Sequence, residues 1–430
     1  MSGGEWETLG NKRTLTDFFT TLRFDLVAGS TVAIVALPLA LGFGVTSGAG
    51  AASGLVTAIV AGFVAGLLGG SNFQVSGPTG AMVVVLFPII AQVGTSGLLV
   101  VGVVAGLLIV LSGLFKLGRF VELVPWSVME GFTLGIAVVI ALQQLPLILE
   151  ITRGEGTETL LVAWGTIQNA AAEPLHWWPL AVVTLTLTVK IGWSLLRNRI
   201  PALASIPASG IAVVVMTMAT WAFALPVQKI GALPTSNLFT WDLSWPDLGL
   251  GTILYSAVVI AALGSIESLL SARVADAMVK RRDGELFQPH RPNRELMGQG
   301  LATIAASLLG GMPATGAIAR TAVNVHSGAR TRMATVIHSL VLLVFVTSVG
   351  FVVGQIPTAV LAGVLLGASW RIANPVSIME NLRTTWSERV SYLATALAVV
   401  TIDLIWGIAI GIVVHIVMSK MTTWRERDSL

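Results

Sequence analysis

The sequence predicts an all-α polytopic membrane protein of fourteen transmembrane segments, arranged as two inverted seven-segment repeats. Three observations lead to that class. The chain is 54% hydrophobic and only 11% charged, whereas an ordinary soluble domain carries roughly a quarter charged residues. Its basic residues gather in short loops that separate apolar stretches, as the positive-inside rule requires. One motif occurs twice: Leu67-Leu68-Gly69-Gly70 leads to Thr79-Gly80-Ala81, and Leu308-Leu309-Gly310-Gly311 leads to Thr315-Gly316-Ala317. At each copy an apolar segment breaks at Gly and Pro and then resumes, leaving backbone amides that lack a helical partner in lipid.

In order, the apolar segments centre near Ala36, Val60, Val85, Leu107, Ala137, Thr184, Val214, Gly264, Ile304, Ile318, Leu342, Val364, Leu397 and Ile410. Several fall short of the roughly 20 residues a full crossing needs, as broken helices do. The polar start, residues 1–23, reads as a cytoplasmic tail; a positively charged leader with a cleavage site is not present there. With the N-terminus inside, Lys116, Arg119, Arg197, Arg199, Lys280, Arg281, Arg282, Arg330, Arg332, Arg371, Arg383, Lys420, Arg425 and Arg427 all fall on the inner side. The two longer outer loops, near Glu150 to His176 and Pro226 to Gly251, lean acidic through Glu150, Glu155, Glu158, Glu173, Asp242 and Asp247. Seven segments separate the two motifs, and an odd number of crossings inverts the second copy, so the repeats are related by an axis in the membrane plane. Residues 201–225 close the first repeat. The net charge of +3 reports this topology rather than a nucleic-acid partner. The partners implied are the lipid bilayer and a small solute.

Cysteine is absent, which excludes disulfides, thiolate metal sites and a Cys nucleophile. Clustered His with carboxylates and a phosphate-cradling loop followed by Lys are also missing, so the chain is not read as an enzyme. No metal site or resident cofactor is expected. Broken helices at matching positions of two repeats point to a substrate site near the bilayer midplane, where half-helix N-termini face an anion. At the first break Ser76, Thr79 and the amides of Gly80 and Ala81 are neutral donors; at the second, Thr315, Gly316, Ala317 and Ile318 are. Arg320 adds a full positive charge next to the second break, unless it snorkels to the inner surface. Phe43, after the interior Pro38 of the first segment, lies on a face that can approach Thr79, where the positive edge of its ring can touch an anion.

The eighth segment carries Glu267 within Gly264-Ser265-Ile266-Glu267-Ser268-Leu269-Leu270-Ser271. A bare carboxylate there costs several kcal/mol, so it must be protonated, paired or cation-bound. Ser271, one turn on, can help hold a sodium ion, and a fixed pair with Arg273 or Arg320 is the purely structural reading. Arg273 and Asp276 are expected to face water, Lys190 to snorkel toward Arg197, Asp403 to cap a half-helix, and Glu130 to cap the fifth segment or form a gate contact. His338 and His415 are read as packing residues, and Trp177-Trp178 as an interfacial anchor.

At these residues the sequence resembles the SulP, or solute carrier 26, family of anion transporters. The resemblance runs from Phe24 to Lys420. It rests on Ala36-Leu37-Pro38-Leu39-Ala40-Leu41-Gly42-Phe43, Val75 to Gly80, Gly264 to Leu270 and Gly316 to Arg332. It implies half-helices in segments three and ten and two lobes. A core is formed by residues 24–117 (segments one to four) and 226–345 (eight to eleven, with the preceding outer loop). A gate is formed by 118–225 (five to seven) and 346–420 (twelve to fourteen), and 421–430 is an inner tail. Carried over from the family, the anion would lie against Phe43, Thr79, Ala317, Ile318 and Ala319, with Arg320 matching the basic residue of animal members such as prestin. The resemblance also implies proton coupling through Glu267. Sodium is the alternative, as in bicarbonate carriers, which have Asp at that position and Thr at the position of Ile318.

The expected function is proton-coupled symport of a small inorganic or carboxylate anion (sulfate, bicarbonate, or a C4-dicarboxylate such as fumarate) by alternating access across the plasma or inner membrane, with both termini cytoplasmic. Sodium-coupled bicarbonate transport, uncoupled channel-like conduction and nucleobase transport are the competing readings. Family members usually continue into a cytoplasmic STAS domain, which is not expected in the 430 residues here. A homodimer is compatible with the resemblance.

Overall fold

The computed structural model describes residues 15–119, 124–156, 158–174, 176–200, 203, 206–233, 239, 249–283, 288–402 and 404–428. Residues 1–14 of the tail, together with Asp242, Asp247 and Asp403, lie outside them.

The first half is built from α1 (Leu15–Ser47), α2 (Ala51–Leu68), a two-residue strand β1 (Ser76–Gly77), α3 (Gly80–Val93), α4 (Ser96–Leu114), α5 (Trp126–Leu142), α6 (Leu145–Leu149), α7 (Thr159–Ala172), α8 (Trp177–Arg199) and α9 (Ala208–Ala222). The second half runs α10 (Leu250–Asp283), α11 (Pro292–Leu308), β2 (Thr315–Gly316), α12 (Ile318–His326), α13 (Met333–Gly354), α14 (Thr358–Ala373), α15 (Pro375–Leu382), α16 (Trp386–Thr401) and α17 (Leu404–Asp428). Every segment centre expected from the sequence lies inside one of these helices. Among the described residues 8 helices are long and apolar enough to cross a membrane by themselves, and α3, α9 and α17 contribute shorter apolar stretches.

Three local expectations change. The described part of the stretch read as tail, from Leu15, is already helical within α1. The outer loop after Glu150 contains α7, which buries Val162, Ala163 and Thr166. Lys190 does not snorkel: it is buried, and its Nζ donates to the Val364 carbonyl on α14 at 3.1 Å. A lysine in the middle of an apolar face can reach a neighbouring helix as readily as the surface, and a buried carbonyl satisfies it.

Packing is set by small residues. Helices α1, α2, α4, α11 and α13 pack on one another, with α10 against α4 and α12; α5, α14, α16 and α17 form a second group with α8 and α9. Between α1 and α2 the backbones nearly touch: a Cβ at Gly44 would fall on the Gly50 carbonyl, and one at Gly54 on the Ala40 carbonyl. Without water to drive helices together, such close approach supplies the association. Gly54→Ala should therefore cost about 1–3 kcal/mol by overpacking and lower the thermal midpoint in detergent, measured by fluorescence-detected size exclusion; an unchanged midpoint would remove this contact from the account.

Candidate anion site between two broken helices

The two breaks meet. β1 pairs antiparallel with β2, Ser76 opposite Gly316 and Gly77 opposite Thr315, and the Ala317 amide donates to the Val75 carbonyl at 2.9 Å. Each strand is the extended stretch that brings the chain back into the middle after its Gly-Gly turn. Each then opens a half-helix: α3 with Thr79 at its N-cap and α12 with Ala317 at its N-cap. Neither N-cap side chain bonds to its own helix, so the first-turn amides of Gly80, Ala81, Ile318 and Ala319 keep no partner within their helices. Their dipoles add positive potential in the same place.

The cap hydroxyl of Thr79 is used elsewhere. Its Oγ1 donates to Glu267 Oε2 at 2.9 Å, Thr315 Oγ1 donates to the same oxygen at 2.7 Å, and the two hydroxyls are 3.0 Å apart. Glu267 is only 8% exposed, and it sits against one threonine from each break. Among the described residues no ion pair joins it to Arg273 or Arg320, although the Arg320 charge acts on it through space.

Several residues singled out from the sequence are brought together in other roles. The Ser76 hydroxyl donates to Gln299 Oε1 at 2.7 Å, and the Gly316 amide to Ser268 Oγ at 3.1 Å. With Thr79 on Glu267 and the Ala317 amide in the ladder, these four groups are committed to protein partners and are not free for an anion. A polar atom buried in the bilayer interior must be paired, and the strand pairing takes those nearest to it. Ser271 does not reach the carboxylate; its hydroxyl lies 3.2 Å from Thr321 Oγ1, which in turn accepts the Val75 amide.

Arg320 does not snorkel. It is 1% exposed, with Nη2 donating to the Pro78 carbonyl at 2.7 Å and Nη1 unpartnered. Its guanidinium occupies the space a Cβ would need at Gly77, whose φ of 153° also disfavours side chains. Gly80 is similarly enclosed: a Cβ there would collide with Ile140 of α5 and lie 3.5 Å from the Phe43 ring. Phe43 thus reaches the first break, and Ile140 covers it from the second helix group.

Ile140, Gln299 and Glu295 escaped the sequence reading. Gln299 joins both breaks, since its Nε2 donates to the Ala314 carbonyl at 2.9 Å while its Oε1 takes Ser76. Gln299→Leu should leave the buried Ser76 hydroxyl without an acceptor, at about 1–3 kcal/mol, while the Ala314 carbonyl keeps the Thr303 hydroxyl at 3.2 Å. The measurable result is faster amide hydrogen exchange at 75–77 and 315–317, and protection equal to the parent would refute the role. Glu295 accepts the Gly70 and Ser71 amides, each at 2.7 Å, and so holds the first Gly-Gly turn. Arg332, which donates to the Leu67 and Gly69 carbonyls, supports the same turn, and burial lowers its pKa from the ordinary arginine value.

The weaker candidates are distributed. Asp276 pairs with His290 at 2.6 Å rather than facing water alone, and Arg273 is half-buried with Nη1 unpartnered. Glu130 Oε2 accepts the Ser377 hydroxyl of α15. His338 is fully buried in α13, and Trp177 and Trp178 are exposed at the start of α8. No group of three or more His, Cys, Asp and Glu able to hold a metal occurs among the described residues.

Comparison with known proteins identifies the family and the fold. The Sulfate permease family matches residues 22–395. The chain is 35% identical to the putative sulfate transporter YvdB of Bacillus subtilis over 418 residues, 94% of this chain and 76% of that protein. It is 31% identical to the bicarbonate transporter BicA of Picosynechococcus over 416 residues, 93% of this chain and 70% of that one. Among solved structures, the transmembrane domain of a cyanobacterial BicA superposes with a TM-score of 0.78 at 28% identity, covering 93% of this chain and 98% of that one. SLC26A9 shares the fold, with a TM-score of 0.78 at 16% identity over 94% of this chain and 66% of that one.

Proposed function

Because the chain belongs to the sulfate permease family, whose members are transporters rather than enzymes, we propose that it is a secondary active transporter of a small anion, coupled to protons through Glu267. The observation that carries this reading is the single carboxylate oxygen that takes one hydroxyl from each broken helix. The anion lies beside Phe43, held by the first-turn amides of Gly80, Ala81, Ile318 and Ala319 and by the field of Arg320. The amides and dipoles contribute only partial charges, and Arg320 is held by the Pro78 carbonyl beside the site, so release remains accessible. A proton on Glu267 offsets the negative charge carried toward a negative interior, worth about 2.3 kcal/mol per charge per 100 mV.

Alternating access then consists of a core (24–117 and 226–345) moving against a gate (118–225 and 346–420), each built from two inverted parts of a fourteen-segment arrangement with both termini on the inner, basic side. The division of the helices into two packing groups and the paired breaks support that reading. Sodium-coupled bicarbonate transport is the second reading, favoured by the named activity of BicA. Against it, Ser271 bonds to Thr321 instead of completing a cation shell with Glu267.

Reconstituted protein given labelled sulfate, bicarbonate or fumarate separates these readings. An inward acid gradient should drive one of the three uphill, and a sodium gradient should not. Accumulation driven by sodium alone overturns proton coupling; flux that never runs uphill under any gradient identifies a channel.

A further inference from the structure

Arg153 lies in the segment between α6 and α7, one of two basic residues, with Lys229, on the outer side as the sequence topology assigns it. Lys229 is engaged by the Gln355 side chain at 2.9 Å. Arg153 has no carboxylate within ion-pair distance among the described residues. Its Cζ sits 3.0 Å from the centre of the Phe87 ring, its Nη1 is 3.4 Å from the Thr46 carbonyl, and its Nε is buried without a partner. Burial pushes its pKa down to about 10, which still leaves it charged at neutral pH. A desolvated guanidinium held only by a ring face and one carbonyl retains uncompensated positive charge. It also lines a pocket with Leu142, Gln143, Pro146 and Thr166.

The position matters as much as the charge. Phe87 lies two helical turns beyond Gly80 on α3, about 10 Å further along the axis. Thr46 lies about one turn beyond Phe43 on α1. The Arg153 layer therefore stands directly outside the layer formed by Phe43, Gly80 and Ile140. The segment bearing Arg153 is tied to α7 through the Gly154 amide on Thr166 Oγ1 at 2.9 Å and Asn169 Nδ2 on the Thr152 carbonyl at 2.9 Å. Helix α7 packs on α5 and α16, in the group opposite to α1 and α3. Arg153 thus bridges the two groups, and any motion that parts them on this side must pull it off Phe87.

We propose that Arg153 is both the outer closure of the anion path and the first docking point for a small oxyanion from that side, which competes with Phe87 and the Thr46 carbonyl for the guanidinium. This rests on the carrier reading for its ligand, but the closure stands on the contacts alone.

The chain has no cysteine, so one reporter thiol is unambiguous. Val84→Cys places it one turn past Gly80 on the Phe87 face of α3. In intact cells its reaction rate with a membrane-impermeant thiol reagent is measured with and without added sulfate or bicarbonate. Loss of a cation–π contact between desolvated groups should make labelling about tenfold faster when Arg153→Ala or Phe87→Leu is added. Whichever of the two anions the Val84→Cys protein transports should accelerate its labelling, and have no effect once Arg153 is replaced. Equal rates in all backgrounds, with transport by the Val84→Cys protein intact, overturn the closure and leave the carrier reading standing. Faster labelling without any transport of either anion supports the closure and counts against the carrier reading. If Arg153→Ala is poorly expressed, Phe87→Leu, which keeps apolar bulk without the ring face, decides the matter.

Discussion

Proteoliposomes bearing Glu267→Gln are expected to equilibrate the anion but not to concentrate it under an acid gradient. With one proton per anion, a difference of about two pH units supports up to roughly 100-fold accumulation in the parent, since each unit is a tenfold step. The variant should show none. Glutamine preserves the volume of the buried side chain and can still accept from Thr79 or Thr315, so the paired breaks that Glu267 touches stay assembled and anion binding should change by less than about threefold, a difference of about 0.6 kcal/mol. Uphill uptake retained in Glu267→Gln would transfer the coupling to another group. The control is Ser271→Ala, which removes only a hydroxyl that bonds to Thr321 and should leave coupling intact.

Replacing Arg320 is the second large effect. Its guanidinium bonds the Pro78 carbonyl of the first break from a helix that begins at the second, so one side chain both ties the breaks together and charges the site. Arg320→Ala removes the charge and leaves a buried carbonyl unpaired, a loss of about 1–3 kcal/mol in stability. The apparent affinity for the anion should fall about tenfold to a hundredfold, corresponding to about 1.4–2.8 kcal/mol. Arg320→Lys keeps a point charge but not the planar fork, so it should recover affinity more fully than stability. Transport KM and thermal midpoint, measured on the same preparations, separate the two roles. Equal affinity in Arg320→Ala would confine the residue to scaffolding.

Much of this was legible because membranes make exceptions conspicuous. Gly-Pro interruptions in apolar segments, and a carboxylate at Glu267 far from any loop, stand out by composition alone, and the pairing of the two breaks follows from their repetition. What those groups bond to was not legible. Ser76 and the amides of Gly316 and Ala317 looked like free donors because nothing in the sequence identifies Gln299, Ser268 and Val75 as their partners. Gln299 is neutral and sits in a helix with ordinary helix formers, so it carries no compositional mark. Glu295 is hidden by its neighbours Arg291 and Arg294, which make it look like one charge in a solvated turn, although it is buried on the Gly70 and Ser71 amides. Lys190, Ile140 and Arg153 act across distances in sequence that periodicity cannot span.

The shared oxygen on Glu267 has a directional consequence. Two hydroxyls point their hydrogens at one carboxylate atom, and that geometry exists only while the atom has lone pairs to give. A proton placed on that same oxygen gives it an O–H to donate and one fewer lone pair to accept with, so one of Thr79 and Thr315 turns round to receive it. Because the two threonines belong to opposite halves of the chain and their hydroxyls lie 3.0 Å apart, a turn of one is passed to the other, and a proton loaded on that oxygen rewrites the hydrogen-bond polarity at the seam where the halves touch.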